Sequence, residues 1–298
     1  MSELQGIIPP VVTPFDDDDE IDEQALRTEI RYHLDAGVHA ISVAGSTGEG
    51  NALTLEEHET VYSVAVDEAD DVPVVAGNIS TGTPEAARKA ALAADVGADY
   101  VMATPPHYMT PDDEGLIDFY REIGRAGGLP ILIYDVIDHV DVTAELAAEM
   151  AEKIPELYGI KQSGGDFHGF VNMMSTVGDE LAIVSALDDL LYPTFELGAA
   201  GAIAGINGII PRLSVELWDA VQDGDAERAS EIYWATLPLA QTAVWNYQQN
   251  FPGGVKTAMQ ILGREPGNSR SPIRVPTDER TEAIGAAIEY MEERGVTE

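Results

Sequence analysis

Cysteine is absent from this sequence, and its absence excludes several kinds of chemistry at once. The chain can form no disulfide bond, use no thiolate nucleophile and hold no zinc or iron–sulfur cluster through cysteine. The six histidines form no i, i+4 pair and no H-E-x-x-H motif, so we expect no metal centre. The G-x-S-x-G and G-x-x-x-x-G-K-[ST] signatures of hydrolases and P-loop proteins are missing as well.

Basic residues are scarce. The 16 lysines and arginines stand against 53 aspartates and glutamates, which gives a formal net charge of −37. A surface of that sign repels phosphate backbones and anionic lipids, so we expect no nucleic-acid partner and no membrane partner. Because concentrated salt screens the self-repulsion of such a surface, we predict a halophilic protein adapted to a salt-rich cytoplasm.

Long apolar runs are also missing. The longest, residues 197–210, is rich in glycine, contains Asn207 and is shorter than the ~20 residues that a transmembrane helix needs. The first residues, MSELQGIIPPVVTPF, have no cationic region before a long apolar one and predict no signal peptide. We therefore expect a cytoplasmic location.

Short apolar runs alternate with amphipathic segments along most of the chain. The runs typical of buried strands are 6–12, 40–45, 72–77, 99–105, 129–135, 157–162, 181–186 and 200–205. The segments typical of helices are 22–35, 55–69, 84–96, 112–126, 143–153, 166–178, 188–197 and 211–222. This order predicts an α/β protein with a (β/α)8 TIM barrel over residues 1–224. The alternative, a doubly wound open sheet, lacks a G-x-G-x-x-G motif after its first strand.

Residues 225–298 carry only helical patterns, and we predict that they form a C-terminal helical extension packed on the barrel or on a neighbouring subunit. Several predicted helices begin with capping residues. Thr54 stands three residues before a glutamate, as in a capping box, and Thr143, Asp166 and Asp188 are further N-cap candidates.

Lys161 is the strongest candidate for a reacting group. In a barrel of this kind the reacting groups lie at the carboxyl ends of the strands. Lys161 belongs to the apolar run LYGIKQ, whereas Lys89 and Lys153 occupy polar helix positions that we expect to be solvated. A buried amine in its neutral form can attack a ketone. The alternative is a lysine paired with a carboxylate at the rim of the barrel.

Tyr134 and the turn after the second predicted strand are further candidates. The alternation of side chains along strands predicts that Tyr134 and Lys161 meet if both point into the barrel, where a phenol can transfer protons. The alternative for Tyr134 is a core position. The turn Gly45-Ser46-Thr47-Gly48 offers hydroxyls and backbone N–H groups to a carboxylate, and we expect Glu49 to brace this turn.

With these residues in view, the chain resembles the dihydrodipicolinate synthase / N-acetylneuraminate lyase family of pyruvate-dependent class I aldolases. The motifs that carry the resemblance are GIIPPVVTPF at the start, GSTGE at 45–49, TPPHY at 104–108, IYD at 133–135, GIK at 159–161 and GAIAGINGIIP at 201–211.

The resemblance implies a role for each candidate. Lys161 would form the Schiff base with pyruvate, and Tyr134 would transfer protons. Ser46 and Thr47 would hold the pyruvate carboxylate, with Thr47 also relaying protons, and the backbone of Ile203 would contact the pyruvate unit. The resemblance further implies a homotetramer that needs no cofactor.

Two positions depart from the family pattern. Family members that act on aspartate semialdehyde resemble Y-N-V-P-x-R after the catalytic tyrosine, with the arginine holding the second carboxylate of the substrate. Here the stretch is YDVIDH, so His139 stands where that arginine would be. In the loop after the fourth predicted strand, His107 stands where many relatives place a tyrosine, and Tyr108 follows it.

We therefore predict an aldolase of carbohydrate metabolism that cleaves a 2-keto-3-deoxy sugar acid, of the gluconate or galactonate type or its 6-phosphate, to pyruvate and an aldehyde. A dihydrodipicolinate synthase that condenses pyruvate with aspartate semialdehyde is the second hypothesis. A dehydratase or hydratase-aldolase that uses the same imine is the third, and a non-catalytic barrel that binds keto acids is a remote fourth.

Overall fold

The computed structural model describes residues 4–164 and 167–298, apart from the side chains of residues 247–249. Within these residues, eight parallel strands form one sheet in the order β1-β8-β7-β6-β5-β4-β3-β2. The sheet closes where Pro10 pairs with Ser42 of β2 and the Val11 N–H donates to the Ser42 carbonyl at 2.8 Å. Strands β1–β8 are Gly6–Ile7, Ile41–Val43, Val74–Asn78, Tyr100–Ala103, Ile131–Asp135, Leu157–Gln162, Ala182–Ser185 and Gly201–Ala202.

Helices follow the strands and then continue alone to the C-terminus. The predicted α/β fold, a (β/α)8 barrel with C-terminal helices, is confirmed. No helix in the described part of the chain has the length and hydrophobicity needed to cross a membrane. Helices α1–α12 are Glu23–Asp35, Leu55–Glu68, Thr83–Val96, Asp113–Gly127, Ala144–Lys153, Phe167–Val177, Leu191–Glu196, Gly205–Ile209, Pro211–Gln222, Ala226–Ala243, Phe251–Ile261 and Asp278–Glu292.

The first and last strands are shorter than their apolar runs predicted. Strand β1 ends at Ile7 because Pro9 and Pro10 have no N–H to donate to a ladder. Strand β8 ends at Ala202, and the glycine-rich residues after it form the short helix α8. The chain therefore turns into a helix directly at the carboxyl end of β8.

Two of the predicted capping residues begin their helices, and a third does not. Thr54 forms a complete capping box at α2, and the Thr143 side chain accepts the Leu146 N–H at α5. The prediction for Asp188 is wrong, because α7 begins only after Leu190 and the Asp188 carboxylate accepts an N–H of α8 instead. Asp166 lies outside the described residues.

Side chains that alternate along the strands form two apolar clusters. One fills the space between the strands and the helices and includes Val255 and Met259 of α11 and Met291 of α12, so the C-terminal helices share the main core. The prediction of two units, residues 1–224 and 225–298, stays a prediction. The other cluster fills the barrel interior and consists of Leu4, Ile8, Ala40, Val75, Tyr100, Met102, Leu132, Tyr134, Val184 and Ile203.

Candidate active site

Lys161 and Tyr134 meet at the carboxyl ends of two neighbouring strands. The parallel register of β5 and β6 places Tyr134 directly beside Lys161. Both side chains are buried, with 6% and 5% of their surfaces exposed, and the Lys161 Nζ lies 3.5 Å from the centre of the Tyr134 ring. The predicted proximity of amine and phenol is therefore confirmed.

The surroundings of Lys161 differ from those of the other buried lysines. Among the described residues, no carboxylate lies within ion-pair distance of the Lys161 amine. Lys256 instead pairs with Glu49 at 2.8 Å. The expectation that Lys89 is solvated is wrong, because this lysine is 3% exposed and donates to the Ile79 carbonyl at 2.8 Å. Only Lys161 thus presents a buried amine to a cavity without a partner carboxylate in the described chain.

The turn after β2 places Thr47 in the same cavity. Two hydrogen bonds hold the backbone of this turn. The Glu49 N–H donates to the Ser46 carbonyl at 3.2 Å, and the Thr13 hydroxyl donates to the Gly48 carbonyl at 2.6 Å. A side chain at Gly48 would meet the Val11 carbonyl oxygen at 2.9 Å, so the close approach requires glycine.

The other two residues predicted to bind pyruvate lie nearby. Ser46 is half-buried beside Thr47, but it is not among the described residues that line the cavity. Ile203 follows β8 and does line the cavity, and its side chain belongs to the barrel interior. The Ile203 N–H donates to the Ser185 carbonyl at 2.9 Å, which fixes the Ile203 backbone beside the end of β7.

The cavity around these residues has a volume of about 570 Å³ and is lined mainly by acids among its charged groups. Lys161 is the one cation among the described lining residues. Four carboxylates accompany it, and the sequence predicted none of them as part of the site. They are Asp135 at the end of β5, Asp138 and Asp141 in the loop after it, and Asp188 after β7.

Two of these carboxylates are buried and have raised pKa values. The pKa of Asp135 is raised to about 7, mainly by burial and also by the nearby charge of Asp141, while the Val142 N–H opposes the shift. Burial also raises the pKa of Asp188 to about 6, although the Ile206 N–H donates to this carboxylate at 2.7 Å. The position of Asp188 after a strand end was the one signal in the sequence that could have identified it.

The loop after β5 and the C-terminal extension both line the cavity. Trp245 and Phe251 line the cavity from the extension. His139 binds the preceding loop, because its Nε2 lies 3.0 Å from the His107 carbonyl, which can only accept a hydrogen bond. Tyr108 is 81% exposed and does not line the cavity in the described chain.

No group of three or more histidine, aspartate or glutamate side chains within residues 4–164 and 167–298 is arranged to hold a metal ion. The described lining residues offer one buried amine, a phenol, the hydroxyls of Thr47 and Ser163, and four carboxyl groups. An amine beside a phenol can form an imine with a ketone and exchange protons with it.

Comparison with known proteins identifies the class. The sequence model of the dihydrodipicolinate synthetase family matches residues 3–291. The chain is 33% identical to the 4-hydroxy-tetrahydrodipicolinate synthase of Methanopyrus kandleri over 97% of each chain. It is 37% identical to the synthase of the same name from Methanospirillum hungatei, over 94% of this chain and 95% of that one.

A solved structure shares the fold. YagE, a prophage protein of the dihydrodipicolinic acid synthase family from E. coli K12 in complex with pyruvate, superposes with a TM-score of 0.92. The two are 26% identical, and the match covers 98% of this chain and 99% of YagE. The chain belongs to the dihydrodipicolinate synthetase family, and it is a pyruvate-dependent carbon–carbon lyase.

Proposed function

We propose that the chain is a class I aldolase in which Lys161 forms a Schiff base with the keto group of pyruvate. One observation carries the proposal. The Lys161 amine is buried beside the Tyr134 ring, opens into a cavity and has no carboxylate partner among the described residues. Asp188 lies close enough for the charge of Lys161 to lower its pKa, but the two form no ion pair, and a buried amine without a direct ion pair is costly for stability, as expected of a group that serves the chemistry.

The arrangement supports the following course of cleavage. The neutral Lys161 amine attacks C2 of a 2-keto acid, water leaves, and an iminium forms. Electrons of the C3–C4 bond then move into the iminium as the C4 hydroxyl loses its proton towards Tyr134, with Thr47 as the next hydroxyl of the relay. The aldehyde departs, the enamine takes a proton at C3, and water releases pyruvate and the free lysine. Synthesis follows the same steps in reverse.

The charge of the cavity supports an uncharged, hydroxylated aldehyde as the second product. Four carboxyl groups and one amine line the cavity among the described residues, and the positive charge of the iminium formed from that amine is offset by the carboxylate of the bound pyruvate unit. An aldehyde with its own carboxylate or phosphate would be repelled in this field. We therefore propose a 2-keto-3-deoxy sugar acid of the gluconate or galactonate type as the substrate, without a 6-phosphate.

A specific observation also favours 4-hydroxy-tetrahydrodipicolinate synthase, in which pyruvate condenses with aspartate semialdehyde. The two relatives described above are synthases of that name and match almost the whole chain. By sequence similarity the synthase has better support than the sugar-acid aldolase. The opposing observation is local, because His139 stands at the sequence position of the family's carboxylate-binding arginine, and the described lining residues supply no cation besides Lys161.

The test has two stages. The protein is first incubated with pyruvate and borohydride in concentrated salt, and its intact mass and modified peptide are determined. We expect one pyruvate-derived adduct, on Lys161. An adduct on Lys89, Lys153 or Lys256, or none in folded protein, would contradict the Schiff-base proposal.

In the second stage the two substrates are compared directly. We expect pyruvate release from 2-keto-3-deoxygluconate or 2-keto-3-deoxygalactonate to exceed condensation with aspartate semialdehyde by at least ~10-fold in kcat/KM, the effect of a few unfavourable charge contacts. The reverse ratio would establish the synthase instead.

We also propose that the enzyme is a cytoplasmic homotetramer adapted to high salt. The net charge of −37 supports the salt adaptation, because screening relieves the repulsion between surface acids. Sedimentation over a range of salt concentrations tests both proposals, since we expect a tetramer in concentrated salt and dissociation or unfolding after its removal.

A further inference from the structure

The turn that carries Thr47 is connected from beneath to the C-terminal extension by a buried ion pair. Glu49 and Lys256 are 1% and 3% exposed, and the Lys256 Nζ lies 2.8 Å from Glu49 Oε1. The two residues are 207 positions apart in the sequence. Among the described residues that line the cavity, Thr47 is present, but neither member of the pair is.

Every hydrogen-bonding group of this pair has a partner. Besides Glu49, the Lys256 ammonium donates to the Thr13 carbonyl at 2.7 Å and to the Asn268 carbonyl. The second oxygen of Glu49 accepts the Arg270 N–H at 2.9 Å. Three segments of the chain are thus joined through one ammonium and one carboxylate. A fully bonded network of this kind is rigid.

The network determines the backbone of the turn on both sides of Gly48. Glu49 has a φ of 54°, a left-handed conformation that is unfavourable for a residue with a side chain. Its carboxylate holds it there through Lys256. Thr13 transmits the same constraint, because its carbonyl accepts from Lys256 while its hydroxyl donates to the Gly48 carbonyl at 2.6 Å. Thr47 immediately precedes Gly48.

We propose that Glu49 and Lys256 are positioning residues that hold Thr47 at the carboxylate-binding end of the cavity, so that the C-terminal extension controls the affinity for the keto acid. This inference rests on the proposed function, in which Thr47 receives the pyruvate carboxylate. Neither residue touches the substrate. Their contribution is the geometry of the turn, and small displacements of a binding group have large effects on affinity.

A purely structural role predicts a different result. An ion pair that serves only the fold changes stability when it is broken and leaves pyruvate binding in the folded protein unchanged. A positioning role changes the pyruvate concentration needed for half-maximal trapping while leaving the rate at saturation largely intact.

The experiment measures borohydride trapping on Lys161 against pyruvate concentration in three variants of the full-length chain. Lys256→Met removes the ammonium and keeps the volume of the side chain. Glu49→Gln removes the charge and keeps the shape, which provides a second test if Lys256→Met does not fold. Lys89→Met is the matched control, because Lys89 is also 3% exposed, pairs with Glu85 at 3.1 Å and donates to a backbone carbonyl.

We expect half-maximal trapping at ~10-fold higher pyruvate in Lys256→Met and ~3-fold higher in Glu49→Gln, with the saturated rate changed less than ~2-fold. Lys89→Met should match the wild type. The inference is overturned if folded Lys256→Met and Glu49→Gln trap pyruvate like the wild type, or if Lys89→Met shifts as much as they do. A wild type that forms no adduct at all would instead refute the proposed function, and with it the inference.

Discussion

The inner end and the outer wall of the cavity differ in the elements that form them, in their exposure and in their charge. The inner end is formed by strand ends and one braced turn, and its residues Lys161, Tyr134, Thr47 and Ile203 are each at most 6% exposed. The outer wall is formed by the loop after β5, where Asp138 and Asp141 are exposed, together with the C-terminal extension. The inner end carries one cation, whereas the wall carries only acids among its charged groups in the described chain.

This difference shows how one barrel can combine a fixed reaction with a variable substrate. Strand register determines the inner end, since a shift of one residue would turn Tyr134 and Lys161 away from the cavity. A loop carries no such constraint, so its side chains can change without disturbing the barrel. Similarity over the whole chain therefore indicates the imine chemistry more firmly than it indicates the aldehyde.

The largest effect is expected at the centre of the inner end. Lys161→Met should abolish the pyruvate adduct and lower kcat for cleavage at least ~10³-fold, because no other described residue that lines the cavity carries an amine to form the imine. The substitution should leave the free energy of unfolding equal or higher, since it removes a buried amine that has no ion-pair partner in the described chain. Intact mass after borohydride treatment, steady-state kinetics and urea unfolding measure the three quantities.

Lys89→Met is the control for Lys161→Met as well. It removes a buried lysine with a carboxylate partner, so it should lower stability and keep both the adduct and the activity. A pyruvate adduct that persists in Lys161→Met would show that the reacting amine does not belong to the inner end of the cavity.

Tyr134 should have the second largest effect. Tyr134→Phe keeps the ring against the Lys161 amine and removes only the hydroxyl, so pyruvate should still be trapped. We expect kcat for cleavage to fall ~10²-fold, the usual contribution of a side chain positioned to accept a proton from the substrate. A matched control is Tyr120→Phe, whose hydroxyl donates to the Ala103 carbonyl behind the strands and does not face the substrate. Equal losses in both variants would contradict a role in proton transfer.

The sequence predicted the inner end of the cavity well. Two short apolar runs ending in Tyr134 and Lys161, the alternation of strands and the parallel order of a barrel together bring these side chains into contact. These arguments use only local pattern and fold class, and for that reason they succeed without knowledge of any distant contact.

The predictions that are wrong concern side chains whose partners are distant in the sequence. Lys89 lies on a polar helix position, and nothing in its neighbourhood in sequence indicates that its amine reaches the Ile79 carbonyl. Aspartate is a common N-cap residue, which is why Asp188 was predicted to begin a helix. Its carboxylate instead accepts an N–H from α8, which lies further along the chain. The pairing of Glu49 with Lys256 likewise depends on how the extension docks, which periodicity does not reveal.

Asp135 tests the boundary between the inner end and the wall. Its pKa is about 7 in the folded protein and near its ordinary value of 3.8 in the unfolded chain, so the folded state binds the extra proton. The stabilisation that protonated Asp135 gives the folded state is fully present below pH ~4, and it is lost as the pH rises through ~7. Between pH 5 and pH 8 the wild type should lose ~2–3 kcal/mol that Asp135→Asn does not lose.

Urea unfolding of the two proteins at pH 5 and pH 8 measures this difference in one salt buffer. Other acids titrate in both proteins, so their contributions drop out of the difference between the wild type and Asp135→Asn. Asp141 is left unchanged in both proteins, because its charge acts on residue 135. A parallel pH dependence in both proteins would show that Asp135 is ionised in the folded state, and the cavity would then be more strongly negative than we propose.

The smallest effects are expected in the exposed part of the wall, where solvent screens the charges. Asp138→Asn and Asp141→Asn should each raise kcat/KM for aspartate semialdehyde ~2–3-fold at the lowest salt at which the protein stays folded, and leave kcat/KM for glyceraldehyde unchanged. The gain should disappear in ~1 M salt, where the Debye length is ~3 Å. Equal gains for the charged and the uncharged aldehyde would mean that the loop acts through its shape, and charge would then no longer distinguish the wall from the inner end.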